Sequence, residues 1–252
     1  MKNATVRTSM LIALLALMTI GLNAQGLYWE SEVSGEKMDG KEVMKTWYMP
    51  KMLKIETGND GDYAILRLDQ EKMYMIRAKN KTYSVMTFAE LEAGVKQANA
   101  QLDQMREQLK NMPAEQRAQM EKMLGMSGGS DAKASVKKLS EARTVSGYPC
   151  TRYKILKGTD EFADLWVTRG IKGFDAMRGD LQAYSKRMAS LNPRMGEDLG
   201  QAMEKIDGFP MESTAMGMKT VVKKVEPRTT PASEFAPPAG FSKVDMKEMS
   251  GQ

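Results

Sequence analysis

The feature that most constrains the fold is a series of short, closely spaced runs rich in aromatic and β-branched residues between Gly26 and Met86. Runs of this composition, separated by turn-forming residues, are typical of antiparallel strands joined by hairpins. The turn signals include Asn59-Asp60-Gly61-Asp62 and Lys79-Asn80-Lys81. Six strands are predicted here, over residues 27–33, 42–49, 52–57, 63–69, 72–78 and 82–86.

A helical pattern begins at Phe88. Apolar residues then recur in alternating steps of three and four, which is the a/d repeat of a helix with a narrow apolar stripe. The stripe comprises Phe88, Leu91, Val95, Ala98, Leu102, Met105, Leu109 and Met112. Pro113 suits the first turn of a second helix, which ends near Gly125. A helical hairpin or a kinked helix is therefore predicted over residues 88–124.

The remaining sequence repeats this alternation of strands and helix. Strands are predicted over 134–147, 148–156 and 161–168, a second helical region over about 173–206, and two final strands over 209–216 and 218–227. A proline-rich tail follows. The apolar stripe of the second helical region begins at Phe174 and runs to Met195, and we expect it to pack against the first stripe, burying Leu102. The alternative is an intermolecular coiled coil, which the few complementary charges beside the first stripe disfavour.

The predicted architecture is α+β, with one antiparallel sheet and two long helical insertions that cover one of its faces.

The first 24 residues have the composition of a signal peptide. Lys2 and Arg7 precede an apolar stretch from Met10 to Leu22, and Ala24 is a small residue suited to cleavage. The apolar stretch is shorter than the roughly 20 residues that a membrane-spanning helix needs, so an uncleaved membrane anchor is the less favoured alternative. We therefore predict a periplasmic protein with one domain over residues 25–252 and no transmembrane segment in the mature chain; release from the cell stays open.

Composition excludes several kinds of chemistry. The 252 residues contain no histidine and one cysteine, which excludes Ser-His-Asp and Cys-His nucleophiles, imidazole zinc sites and an internal disulfide. The 37 basic and 32 acidic residues are interspersed, so no nucleic-acid partner is expected. We predict no enzymatic activity, no catalytic residue and no cofactor.

Methionine is unusually frequent, with 24 residues. Met120, Met123 and Met126 are spaced three apart, and thioether sulfur is a ligand for Cu(I), which makes copper handling a minority alternative. Most of the methionines instead fall on helix stripes or in strands, where an unbranched and polarisable side chain fills apolar gaps. Cys150 is expected to be a small buried hydrophobe, with an intermolecular disulfide or a metal ligand as alternatives.

Several short segments, in their order and spacing, resemble an uncharacterised bacterial envelope family catalogued as domain of unknown function 4412. They are GLYWE (26–30), MPKMLKIE (49–56), ILRLDQEKMYMI with KTY (65–83), GYPCTRYKI (147–155), LWVT (165–168), GFPME (208–212) and PPAGF (237–241). The family is similar to the LolA/LolB outer-membrane lipoprotein carriers. That resemblance implies a strongly curved antiparallel sheet, a half-barrel, whose concave side is closed by helices around an apolar cavity. The resemblance supplies no functional residues.

Three classes of function follow: a binding or carrier protein for a lipid or acyl chain, an interaction module that binds a protein partner of the envelope through its helices, and a copper handler. The first is favoured because strands such as 63–69 are apolar on both faces, with Tyr63 and Ile65 opposite Ala64 and Leu66. One face must then meet the helices, and we predict that the other lines an apolar pocket. The residues predicted to line this pocket are Trp29, Trp47, Ile65, Tyr74 and Trp166.

Overall fold

The computed structural model describes residues 26–36, 38–58, 60–110, 112, 113, 116, 133–191 and 200–249. The predicted signal peptide lies outside these ranges, as do most of the predicted helix after Pro113 and the three methionines of the copper alternative, Met120, Met123 and Met126.

The chain forms strands wherever the sequence predicts them. The strands are β1 (Leu27–Gly35), β2 (Lys41–Met49), β3 (Met52–Thr57), β4 (Tyr63–Arg67), β5 (Lys72–Arg77), β6 (Thr82–Thr87), β7 (Ala134–Val145), β8 (Tyr148–Lys157), β9 (Asp160–Thr168), β10 (Phe209–Ala215), β11 (Met218–Pro227) and β12 (Ser242–Lys243). Each of the eleven predicted strands is confirmed with its ends shifted by at most two residues. The short strand β12 was not predicted.

These strands build one sheet, whose order in the described part of the chain is β12-β6-β5-β4-β3-β2-β1-β11-β10-β9-β8-β7. All of its pairs are antiparallel except β12 with β6, which is parallel. Two of its hairpins turn through consecutive residues with positive φ, Ser146-Gly147 (49° and 86°) and Met216-Gly217 (53° and 76°). Such type I′ geometry matches the twist of the flanking strands.

The sheet is strongly curved. Ser146, in the turn between β7 and β8, donates a hydrogen bond to the carbonyl oxygen of Val222 in β11 at 2.5 Å. Two strands separate β8 from β11, so a flat sheet would place them about 14 Å apart. An ion pair of 2.6 Å between Arg143 of β7 and Glu212 of β10 spans a similar separation. Both contacts require the sheet to bend back on itself.

Helices connect the strands at two places. Helix α1 (Phe88–Lys110) follows β6, and α2 (Phe174–Leu191) follows β9; residues 200–204 are also helical. A 3-10 helix (Ala232–Phe235) and α3 (Met246–Met249) lie near the C-terminus. The start of α1 is a capping box. The hydroxyl of Thr87 accepts a hydrogen bond from the backbone N–H of Glu90, and the carboxylate of Glu90 accepts one from the backbone N–H of Thr87. Both long helices start where the sequence predicts, and most of the remaining residues of the two predicted insertions lie outside the described ranges.

Within the described ranges, the structure has no helix with the length and apolarity needed to span a membrane.

The two helices contact each other near the start of α1. The rings of Phe88 and Tyr184 are 5.2 Å apart, and Arg187 donates a hydrogen bond of 2.7 Å to Glu92. Farther along α1, Leu102 is 39% exposed, so the expectation that Leu102 is buried in a seam is wrong. A narrow apolar stripe in a sequence does not distinguish a buried seam from one that is left partly open.

The sheet has two distinct faces, which the strand register defines because directly opposed residues project to the same side. The face that carries Leu27 and Tyr48 is here called the helical face: Phe174, Met177 and Leu181 of α2 pack in the same core cluster as these two residues. The opposite face, which carries Trp47 and Ile65, is called the tail face, because Phe235 of the 3-10 helix packs on it.

Candidate functional site

The helical face carries a continuous apolar surface across strands β3 to β6. Leu53, Leu66, Met73 and Met86 oppose one another in successive strand pairs, and Ile55, Ala64 and Met75 form the adjacent row. All seven side chains keep contact with solvent, and Met75 is 37% exposed. We call these seven residues the open apolar surface. Contiguous exposed apolar side chains mark binding surfaces more often than isolated ones do.

Two buried hydroxyl groups lie beside the open apolar surface. Thr46 opposes Ile55 across the β2–β3 pair, and Ser31 lies on the same face of neighbouring β1. Each residue is 1% exposed, and within the described part of the chain neither hydroxyl oxygen has a hydrogen-bond partner. An unpaired buried hydroxyl costs about 1–3 kcal/mol. The helical face thus combines an apolar area with two unused polar groups.

The five residues predicted to line a pocket do not converge on one place. Trp47, Ile65 and Tyr74 lie together on the tail face. Trp29 projects to the helical face, where its ring meets that of Phe209 edge-on at 5.6 Å. Trp166 lies in the other half of the sheet, with the Arg143 guanidinium 4.0 Å from its ring centroid. The structure therefore brings together three of the five residues.

The three residues that converge form part of a cleft filled by the chain itself. We call this the aromatic cleft; its members share the tail face of β2 to β6 and are Trp47, Tyr63, Ile65, Tyr74, Ile76 and Tyr83. The fully buried ring of Phe235 packs against them. Burial raises the pKa of Tyr63, with the nearby carboxylate of Glu234 adding to the effect, so its hydroxyl is protonated at neutral pH.

Two basic side chains flank the aromatic cleft. The ammonium of Lys54 stands 5.1 Å from the ring centroid of Trp47 and 4.4 Å from that of Tyr63, and it pairs with Glu234 at 3.0 Å. The guanidinium of Arg67 donates to the carbonyl oxygen of Phe235 at 3.1 Å. Sequence reasoning missed both. The available signals were a basic residue between the apolar neighbours Leu53 and Ile55, and the aromatic residue Phe235 in the proline-rich tail.

A separate cavity of about 300 Å³ opens at the end of β8 and β9. Its lining is mixed in polarity and consists of Lys138, Pro149, Thr151, Tyr153, Val167, Thr168, Arg169, Gly170 and Asp207. Arg169 forms an ion pair with Asp207, which neutralises one of the two basic groups in the cavity. This cavity could not be predicted from local sequence patterns, because its residues come from four separate segments.

In the described part of the chain, no three His, Cys, Asp or Glu side chains are grouped so that they could hold a metal ion. Cys150 is buried in the core, and burial raises the pKa of its thiol. A protonated, enclosed thiol agrees with its expected role as a small hydrophobe.

Comparison of the structure with solved structures finds MucB and a LolA superfamily protein. A crystal structure of MucB in complex with MucA(peri) is 7% identical in sequence, with 86% of this chain and 56% of that chain covered and a TM-score of 0.37. The Pseudomonas aeruginosa MucA/MucB complex is 9% identical, with coverages of 86% and 57% and a TM-score of 0.40. This chain thus spans a little over half the length of those MucB chains.

The LolA superfamily protein is from Nitrosomonas europaea. It is 5% identical, with coverages of 85% and 90% and a TM-score of 0.27. At these sequence identities and TM-scores, the similarity gives no information about the function or the ligand of this chain.

The sequence itself was compared with curated proteins and with family models. No curated protein matches it. The family model described as Domain of unknown function (DUF4412) matches residues 112–241, which is 130 of the 252 residues. This match confirms the resemblance noted in the sequence, and the chain belongs to the DUF4412 family.

Proposed function

We propose that this protein is an exported, non-enzymatic binding or carrier protein that holds a lipid or acyl chain on the open apolar surface. The observation that carries the proposal is the unbroken row Leu53–Leu66–Met73–Met86 on the helical face, with Ile55, Ala64 and Met75 beside it. The charge-free chemistry of these seven side chains suits a hydrocarbon ligand. The predicted signal peptide supports a periplasmic location.

The length of the surface sets the gross hydrophobic contribution that an acyl chain could gain. Each methylene group removed from water contributes about 0.8 kcal/mol, so ten methylenes laid across four strands would contribute about 8 kcal/mol before ordering costs. The costs of association and of ordering the acyl chain are subtracted from this gross figure, which is therefore an upper bound on the binding free energy. Three of the seven residues are methionines, whose flexible side chains adapt to acyl chains of different shape.

The proposed site differs from the pocket predicted from the sequence. Trp47, Ile65 and Tyr74 lie on the tail face, where Phe235 covers them, whereas the open apolar surface lies on the helical face. Thr46 opposes Ile55 of this surface and Ser31 lies on the same face, and their unpaired hydroxyls suit the carbonyl oxygen of an ester or acid.

The second candidate function is an interaction module. Leu102 and Met105, on the stripe of α1, are both 39% exposed, which favours docking of an apolar surface of another envelope protein. Copper handling has only the sequence pattern of Met120, Met123 and Met126 to support it.

The proposal is tested by titrating the purified protein with a fluorescent fatty-acid analogue. The variant Met75→Lys places a charge within the open apolar surface, at a position exposed enough for the ammonium to remain hydrated. We expect its affinity to fall about tenfold, which corresponds to about 1.4 kcal/mol. The matched control is Met216→Lys, the same change at an 84% exposed turn residue, which should bind like wild type. Equal affinities for the two variants would contradict the proposed site.

Absence of probe binding by wild-type protein, together with absence of lipid in a solvent extract, would contradict the carrier function as a whole. The interaction module would then be the better account, and a concentration-dependent mass or capture of a protein partner through α1 would be its direct test.

A further inference from the structure

The segment around Phe235 is bound to the tail face by side-chain contacts. Its aromatic ring enters the aromatic cleft, its Glu234 carboxylate pairs with Lys54, and its Phe235 carbonyl accepts a hydrogen bond from Arg67. Glu234 is 55% exposed, so the ion pair lies at the rim while the ring lies at the centre. A buried aromatic anchor surrounded by rim contacts is also the arrangement of the residues that carry most of the energy in protein–protein interfaces.

The receiving groups also have contacts within the sheet and its turns. Lys54 is only 12% exposed and is held over the rings of Trp47 and Tyr63. Arg67 is oriented by two hydrogen bonds to Asp69, of 2.8 and 2.6 Å. These contacts orient both basic groups toward the cleft, and such orientation reduces the entropic cost of binding.

The bound segment has the properties of a short linear ligand. Pro231, Pro237 and Pro238 flank the Ser233-Glu234-Phe235 sequence, and proline restricts the backbone before binding. After this segment, β12 pairs with the edge strand β6 and α3 follows. The sulfur of Met246 in α3 accepts a hydrogen bond from the hydroxyl of Ser84 at 3.0 Å. The segment is therefore anchored on both sides and has a high effective concentration at the cleft.

We propose that the aromatic cleft is a peptide-binding site that the chain's own Glu234-Phe235 occupies, and that its external ligand is an extended segment of another protein in which an acidic residue directly precedes a phenylalanine. The phenylalanine fills the space between Ile65 and Ile76, the acidic residue pairs with Lys54, and the peptide carbonyl accepts from Arg67. This site lies on the face opposite the open apolar surface, so it does not depend on the proposed carrier function.

The test measures binding of a fluorescent peptide, with the sequence of residues 230–239, to the full-length protein. In wild type the internal segment competes, and weak binding is expected. The variant Phe235→Ala weakens that competitor, so its affinity for the peptide should rise at least tenfold. A control peptide carrying the Phe235→Ala change should not bind, and adding Lys54→Met to the variant chain should weaken binding severalfold.

The proposal is overturned if folded Phe235→Ala protein binds the two peptides equally, because the cleft would then be ordinary core. Should Phe235→Ala fail to fold, Glu234→Lys reverses the rim charge without opening a cavity, and the same criterion applies to it. A wild-type dimer that the peptide dissociates would identify the segment of a second copy as the ligand and overturn the assignment to another protein. Fatty-acid binding measured on the same samples distinguishes failure of this site from failure of the open apolar surface.

Discussion

The hydrogen bonds at Asp180 make the attachment of α2 to the sheet testable. One oxygen of this carboxylate accepts from the buried hydroxyl of Tyr48 at 2.8 Å and from the backbone N–H of Lys51 at 2.6 Å. Burial, followed by the bond to Asp180, raises the pKa of Tyr48, so the hydroxyl remains a donor across the usual pH range. Asp180 thus links α2 both to β2 and to the turn that follows β2.

We expect Asp180→Ala to destabilise the protein by about 3 kcal/mol. The loss combines a hydrogen bond to a charged acceptor, worth about 1.5–3 kcal/mol, with the cost of leaving the Tyr48 hydroxyl buried and unpaired. For a domain of this size, 3 kcal/mol corresponds to a decrease in Tm of roughly 6–12 °C. Thermal unfolding followed by circular dichroism would measure it. Asp175→Ala is the matched control, since this carboxylate on the same helix is 91% exposed, and it should cost less than about 1 kcal/mol.

The double variant Tyr48→Phe/Asp180→Ala provides the decisive comparison. Removing the hydroxyl as well as the carboxylate eliminates the unpaired buried group, so the double variant should be more stable than Asp180→Ala alone. If the double variant is less stable than Asp180→Ala by the full cost of a separate tyrosine substitution, the two groups are uncoupled and the reasoning is refuted.

Two further predictions concern stability. Leu102→Asp should leave the Tm within about 2 °C of wild type, because Leu102 is 39% exposed. Leu109→Asp should unfold the protein or lower its Tm strongly, because Leu109 is buried. Equal effects of the two substitutions on the Tm would show that α1 is packed differently. Stability should be constant between about pH 5.5 and 8, because the chain has no histidine, and should fall below about pH 4. Hydrogen bonds to basic side chains lower the carboxyl pKa values of Asp69, Asp164 and Glu212 in the folded state. The stabilisation from these groups is therefore present above their unfolded-state pKa and is lost as the pH falls through their folded-state pKa. A denaturant midpoint of unfolding that changes between pH 6 and 8 would contradict this prediction.

The strands could be predicted from the sequence because their signals are local. Short alternating runs between turn residues specify β1 to β11 without knowledge of the fold. Strand β12 could not be found in this way, because two residues carry no periodicity and Ser242–Lys243 become a strand only by pairing with β6.

The candidate site depended on information that is not local. Trp29 pairs with Thr46, so Trp29 and Trp47 project to opposite faces of the sheet. The sequence does not specify this register, because the connection from Gly35 to Lys41 is long. The covering of Trp47, Ile65 and Tyr74 depends on where the proline-rich tail returns to the sheet. The aromatic and apolar residues of the strands identified Trp47, Ile65 and Tyr74, but only the three-dimensional path of the chain shows that Phe235 covers them.

The pairing of β1 with β11 has a consequence for how the molecule assembles. Leu27 pairs with Pro227, 200 residues away, whereas β1 to β6 and β7 to β11 are each joined to neighbours in sequence mainly through short hairpins. Closing a chain segment of that length costs roughly 5 kcal/mol of entropy, and this cost must be met before the β1–β11 contacts compensate for it. The two halves can therefore acquire their hairpins quickly, and the slow step of folding is expected to be the formation of this one ladder.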